Sequence, residues 1–374
     1  MIQKQQLPIN FTSTPIHNRK LKFSKDNNFQ VELKERVDKF FAQQGISKQA
    51  PPKMYLKSFI FLFLFFSSYI GLVFLANNWW QALLFSGLLG LVMAGIGFNV
   101  QHDASHQTYS KKLPWVNHLF GLSLELIGGS SYNWHWKHVI FHHINVNIVG
   151  HDNDLNVGLF GRLAPAQKHL PFHRFQHYYL WFLYGLMAIK WQLFDDFEAV
   201  ITGKMGENSF PKPRNWDLVI FFAGKTLFIS LAFILPLFYH PLWQVVLFYT
   251  ITTFILGIVL SIVFQLAHAV EEAAFPAPIV DSNEIDNSWT VHQIETTVDF
   301  SRNNPFVSWF LGGLNFQVEH HVFPNVCHVH YHLIAEIVEE TCQEFGIKYL
   351  AHKSFWSGMV SHYRWLKRMG MQTG

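Results

Sequence analysis

The chain has 374 residues, of which 14% are charged and 17% aromatic, with a formal net charge of +3. That length allows one large domain or two smaller ones, but so few charges exclude a water-exposed surface over much of it, and the balance is that of a membrane protein. A near-neutral chain without an arginine-rich stripe also gives nucleic acid no foothold.

Residues 1–50 are polar and charged, which predicts a mobile tail followed by an amphipathic helix with Val31, Leu33, Val37, Phe40 and Phe41 at helical spacing. So polar a start predicts no cleavable signal peptide. Pro51-Pro52 ends this helix, and residues 51–374 read as one membrane domain. After Lys57 no Asp, Glu, Lys or Arg occurs before Asp103, and after Lys225 none before Glu271, so each charge-free run is 45 residues long. About 20 apolar residues cross the hydrocarbon, so each run has room for two crossings and a turn. Polar and aromatic turns at 76–80 and 239–243 divide the runs into spans near 58–76, 81–100, 217–238 and 243–265, arranged as two hairpins.

Basic residues crowd the segment before the first span, from Lys4, Arg19 and Lys20 to Lys53 and Lys57, while both turns carry none. The positive-inside rule then places both termini in the cytosol. Cys327 and Cys342 lie on the same reducing side without a C-x-x-C spacing and read as free thiols. Two further apolar stretches, 113–124 and 175–189, are too short to cross and read as interfacial or re-entrant helices. The fold expected is an all-α integral membrane protein: four transmembrane helices in two hairpins, interfacial helices, and a cytosolic helical cap.

Histidines mark the ends of these elements. The first group, His102 and His106, follows the second span. The next runs His138, His142 and His143, and the third is Gln317, His320 and His321. On a helix His102 and His106 share a face, as do His138 and His142, and Gln317 and His321. The fourth span ends at His268, and an imidazole in an apolar helix end is costly unless paired, so the same cluster is its most economical partner. His17, His352 and His362 read as surface residues among the 22 histidines, and His118, His135, His151, His169, His173, His177, His240 and His292 as solvated or as neighbours of the site.

Neutral imidazole suits iron, copper, zinc and nickel, so ligand type alone does not choose a metal. No H-E-x-x-H motif occurs, which disfavours a zinc protease, and structural zinc needs only four ligands. Glu-x-x-His pairs of the soluble di-iron bundles are absent as well. Eight imidazoles shared between two ions leave open positions at both, which points to a di-iron site that activates O2.

The order H-x-x-x-H, H-x-x-x-H-H and Q-x-x-H-H, with four spans, resembles the membrane fatty acid desaturases. The resemblance covers roughly residues 25–350 and extends to Trp134-His135-Trp136-Lys137-His138, Gly150-His151-Asp152-Asn153-Asp154 and Phe316 to Pro324. Glutamine at the head of the third box is similar to the front-end subgroup, which includes linoleoyl-CoA desaturase-like enzymes. Many of these carry a fused cytochrome b5 with a His-Pro-Gly-Gly motif. That motif is absent here, so the resemblance implies a separate electron donor, a cytochrome b5 or a ferredoxin with its reductase.

The resemblance also implies two iron ions held by His102, His106, His138, His142, His143, His268, His320 and His321. Gln317 would bind through its amide oxygen, hold a water on the metal, or orient its neighbours. Asp103, Asn133, Asp152, Asp154, Glu271 and Glu319 are candidates to hold the outer N–H groups of these imidazoles, with helix capping an equal reading for Asp152 and Asp154. The implied reaction removes two vicinal hydrogens from an acyl chain, on coenzyme A or a membrane lipid, at the expense of O2 and two electrons. A lipid or alkane hydroxylase would use the same metal set. A metal transporter is the remaining class, but the two charge-free runs lack the ionisable path that it needs. The aromatic run Phe59 to Phe66 reads chiefly as lipid contact and secondarily as lining for an acyl tunnel.

Overall fold

A computed structural model describes residues 21–25, 28–279 and 282–371, so the expected tail, with His17, Lys4, Arg19 and Lys20, lies outside the described residues. Four helices among them are long and apolar enough to cross a membrane: Pro52–Leu75, Trp79–Ser105, Trp216–Leu237 and Leu242–His268. The first begins earlier than charge placement predicts because Pro52 at its first turn is pre-set for helix. It therefore takes in Lys57, which is buried with Nζ 2.9 Å from His328 Nε2. Asn78 caps the second span by accepting from the Gln81 amide at 3.0 Å.

The turn that follows the first of these helices and the turn that follows the third lie side by side. Trp79 and Trp243 have ring centroids 5.6 Å apart, and His240 Nε2 is 2.7 Å from the Val73 carbonyl, which closes the end of the first span. Small residues let the spans approach closely. A Cβ on Gly90 would lie 2.5 Å from the Thr252 carbonyl, so only glycine admits this contact between the second and fourth spans. The aromatic run divides: Phe59, Phe63 and Phe66 are exposed, whereas Phe61 and Phe65 are buried among the spans.

Neither short apolar stretch forms a fifth membrane-length helix among the described residues. Residues 113–124 break into Pro114–Gly121 and Ser123–Leu126. Gln176–Lys190 is a helix laid against the fourth span, its backbone at Gly185 so near Gly257 that a Cβ there would sit 2.6 Å from the Gly185 oxygen. The third span carries a charge in its interior, Lys225, and its Nζ is saturated. It donates to Asp196 Oδ2 at 2.7 Å and to the carbonyls of Gly128 and Gln192 at 2.7 and 3.2 Å.

Beyond the histidine ends of the spans sits a second core. Helix Phe29–Gln44 buries Phe29, Leu33, Val37 and Phe41 against Val318, Ile334 and Val338, and Arg36 grips both carboxylate oxygens of Glu344. The predicted face of this helix is corrected at Val31, which points to solvent, because Phe29 begins the 29-33-37 stripe. Three two-residue strand pairs are the only extended pairing among the described residues, one of them joining Asp299–Phe300 to Ala351–His352 in parallel. Cys327 and Cys342 are buried free thiols.

Candidate metal centre

The second span widens through a π turn at Gly97–Gln101 and then delivers His102 and His106, whose rings lie 4.8 Å apart. His138 and His142 sit within a π-helix, His135–His142, rather than the α-helix that their spacing suggests. Five residues per hydrogen-bonded turn bring His138 and His143 together, with Nε2 atoms 3.3 Å apart. The fourth span ends on His268, and Gln317–Val322 presents Gln317, His320 and His321. Gly312 and Gly313, with φ of +61° and +68°, turn the chain into that helix. A Cβ on Gly312 would meet the Phe98 carbonyl at 2.4 Å.

All eight predicted histidines converge and all are at least nine-tenths buried. His102, His106, His138 and His320 form one set whose ring nitrogens lie within 4.8 Å of one another; His142, His268 and His321 form another. His143 stands between them, with ring centroids 4.6 Å from His320 and 4.4 Å from His321. His138 and His142 keep the shared face that their spacing predicts, with rings stacked 5.4 Å apart, while His138 also joins the first set and His142 the second. Gln317 is buried beside them, and both atoms of its amide lack a protein partner.

The outer nitrogens show which way each lone pair points. His142 Nδ1 lies 3.2 Å from both oxygens of Asp152, His268 Nδ1 3.3 Å from the Thr296 carbonyl, and His321 Nδ1 3.0 Å from Gln293 Oε1. Each of these oxygens can only accept, so each Nδ1 carries the hydrogen and each Nε2 turns a lone pair inward. His320 Nδ1 pairs with the Tyr331 hydroxyl at 3.2 Å. The Nε2 atoms of His106, His142, His268, His320 and His321 are buried without a protein partner. Burial, and then the crowd of neighbouring imidazoles, pushes His106, His138, His143, His320 and His321 well below the usual histidine range, leaving them neutral. His142 moves the other way: burial opposes its charge, but the Asp152 carboxylate outweighs it and the net shift is upward. So many inward lone pairs without donors are costly in a closed interior, and a pair of metal cations would satisfy them together.

The acidic candidates separate. Asp152 accepts from His142 and also from the amides of Asn147 and Asp154, so it orients the ring and caps the turn at once. Asp154 lies 3.5 Å from His142 and pairs with Lys137. Asp103 turns away from its histidine neighbour, accepting from His328 Nδ1 at 2.9 Å and from Cys327 Sγ at 3.1 Å. Asn133 binds Asp196, and the Glu271 amide donates to Ser361, so both are turned to partners other than the predicted ligands. Glu319 joins Asp299 around the Tyr349 hydroxyl, at 2.9 and 2.5 Å, bracing the helix that bears the third group.

Sequence reasoning passes over Gln293, Thr296, Tyr331 and His328, the residues that hold imidazoles or the second span from outside. The polar run His292-Gln293-Ile294-Glu295-Thr296-Thr297 is the signal for the first two. His362, expected at the surface, is fully buried, with Nδ1 2.6 Å from the Ala269 carbonyl and Nε2 2.9 Å from the Tyr184 hydroxyl. His173, His177 and His292 are buried as well, whereas His118 and His135 are exposed.

Fold and site together define a mostly helical protein with four membrane-length apolar helices and a closed cluster of imidazoles suited to metal. The chain belongs to the fatty acid desaturase family, whose pattern, described as Fatty acid desaturase, matches residues 77–353. It is similar to the sn-1 linoleoyl-lipid 6-desaturase of Arthrospira platensis, 37% identical over 94% of this chain and 95% of that protein. The protein of the same description from Synechocystis sp. is also 37% identical, over 94% of this chain and 98% of its own length. An acyl-lipid (8-3)-desaturase of Physcomitrium patens matches at 37% over 93% of this chain and 73% of that protein. This chain is therefore an oxidoreductase that acts on fatty acyl chains, of a di-iron enzyme type.

Proposed function

We propose that the protein is a front-end acyl-lipid desaturase, placing a cis double bond between an existing one and the carboxyl end. The observation that carries this reading is the closed set of eight imidazoles, five of them with a buried Nε2 that has no protein partner. The relatives' printed names, 6-desaturase and (8-3)-desaturase, support the front-end assignment. His102, His106, His138 and His320 would hold one iron and His142, His268 and His321 the other, with His143 between them and Gln317 at the edge. Such a pair supplies the oxidising power that an unactivated methylene demands, with O2 as co-substrate.

The protein's own residues do the rest. Asp152, Thr296 and Gln293 hold the Nδ1–H of His142, His268 and His321, so each ring would offer its Nε2 to a metal. An apolar cavity of about 330 Å³ between the spans, walled by residues such as Phe65, Met93, Leu126 and Phe228, is of a size and character to hold the acyl tail away from water. We assign both termini and the histidine centre to the cytosol, with the spans as two membrane hairpins under a cytosolic cap. Electrons would come from a separate cytochrome b5 or ferredoxin. Expression in a host fed defined fatty acids tests the reading: the product should lose the mass of two hydrogens and carry its new double bond on the carboxyl side. A product that gains the mass of one oxygen would instead make the protein a hydroxylase.

A further inference from the structure

Asn147 stands in the turn that follows the second histidine group. Its φ of +58° lies in the left-handed region, which asparagine tolerates better than most side chains, and it is fully buried. Its amide Nδ2 faces three backbone carbonyls, those of His268 at 3.0 Å, Ala274 at 3.1 Å and Thr296 at 3.4 Å. Carbonyls only accept, so these surroundings fix which end of the amide is the donor.

The partners of Asn147 are the supports of one set of histidines. The His268 carbonyl closes the fourth span, where the last turn of a helix leaves such groups without partners. The Thr296 carbonyl follows helix Trp289–Glu295 and also accepts from His268 Nδ1 at 3.3 Å. The same helix carries Gln293, whose Oε1 accepts from His321 Nδ1 at 3.0 Å. On its other side, the Asn147 backbone N–H donates to Asp152 Oδ2 at 2.9 Å, and Asp152 holds His142 Nδ1. One residue thus reaches the supports of His142 and His268 directly, and that of His321 through a single short helix. The other set is braced elsewhere: His320 pairs with Tyr331, and Asp103 beside His102 binds His328 and Cys327. Among the described residues, Asn147 makes no bond to that second group of supports.

We propose that Asn147 is a positioning residue that latches His142, His268 and His321 as one unit, so that one ion of the pair is held independently of the other. The proposal rests on the metal centre of the desaturase reading above and adds an asymmetry to it. With the latch undone, the set of His102, His106, His138 and His320 keeps its ion while the latched set loses its own.

The test uses the purified full chain in detergent, stripped of metal, reloaded with Fe(II) or Co(II) alone, and followed by native mass spectrometry against a competing chelator. Wild type should hold a pair of ions. Asn147→Gly keeps the positive φ and the N–H bond to Asp152 but removes the side-chain bonds. It should retain its first ion as wild type does and release the second about 10–100 times more readily. With Co(II), electron paramagnetic resonance should change from a coupled pair to an isolated ion. Adding His268→Ala to Asn147→Gly should cost no further ion, whereas adding His106→Ala should strip the one that remains. Asn99→Ala is the control for lost buried bonds, since Asn99 Nδ2 donates to the Gly95 and Phe310 carbonyls, each at 2.8 Å. It should melt lower without releasing one ion ahead of the other. Asn147→Ser retains a short donor and should fall between wild type and the glycine variant, which keeps the comparison available if the latter does not fold. Loss of both ions together on replacing Asn147, wild-type retention of both, or the same single loss in Asn99→Ala would overturn the latch and leave the desaturase reading standing. Wild-type protein that takes up no ion sinks both.

Discussion

Replacing Asp152 by asparagine keeps the size of a side chain that is 1% exposed and changes one oxygen into an amide nitrogen. In the native protein Oδ1 accepts from the Asp154 amide at 3.0 Å and Oδ2 from the Asn147 amide at 2.9 Å, while both face His142 Nδ1. Whichever way asparagine is flipped, its nitrogen confronts one of those backbone donors, and an unsatisfied buried group costs about 1–3 kcal/mol. The His142 ring also loses its charged acceptor. Removing such an outer partner lowers metal affinity by about 10–100-fold, equivalent to about 1.4–2.8 kcal/mol. Asp152→Asn is therefore expected to enter the membrane, melt several degrees lower, and release iron to a competing chelator about 10–100 times more readily. Asp154→Asn is the control, since its oxygen is 3.5 Å from His142 and its main partner is Lys137; its chelator titration should stay within about threefold of wild type. Wild-type iron retention in Asp152→Asn, or a larger loss in Asp154→Asn, would refute the role given to Asp152.

His362 is buried and neutral, lowered from 6.5 to about 4, chiefly by burial. The unfolded chain then binds more protons below pH 6.5, so this residue's stabilisation is complete above that value and is lost as pH falls toward 4; between pH 6.5 and 5 the loss is about 2 kcal/mol. Thermal melts of His362→Gln should show that much less acid sensitivity than wild type, and parallel pH curves would refute the assignment. Gly312→Ala forces a Cβ into the Phe98 carbonyl at positive φ and should lower the yield of folded protein more than any exposed glycine change, with Gly45→Ala, which meets nothing, as the comparison by size-exclusion profile. Lys225→Met alone leaves buried Asp196 with the Asn133 amide but without its cation and should cost about 3–5 kcal/mol, while Lys225→Met with Asp196→Asn should recover part of it; an additive thermal-unfolding cycle would show that the pair is uncoupled. A reporter placed after Asn78 should report the non-cytosolic side, and a cytosolic signal there would contradict the orientation.

Charge placement made the spans legible because a charge in hydrocarbon is costly, and three of the four begin within two residues of the expected position. The exception, Pro52–Leu75, begins earlier, and there Lys57 finds His328 from a segment 271 residues away that no local pattern reveals. Lys225 is tolerated inside a span for the same reason, since its partner Asp196 lies on another helix. The eight imidazoles were legible as residues, because histidines ending apolar runs are expensive unless they share a purpose. Their grouping was not. The spacing pairs His138 with His142, and their rings do stack, but nothing local shows that His138 also meets His102, His106 and His320 while His142 meets His268 and His321. Gln293, Thr296 and Tyr331 were hidden because an amide, a backbone carbonyl and a phenol become imidazole anchors only after the chain has folded back on itself.

The claim on which the account turns is that inward-facing imidazoles hold two irons side by side. Metal analysis of protein purified from iron-supplied cells, read together with its Mössbauer spectrum, tests this most directly. The account predicts about two irons per chain in a magnetically coupled pair, with imidazole-type ligation. A single iron, uncoupled ions, or protein that is fully folded yet binds no iron would contradict it.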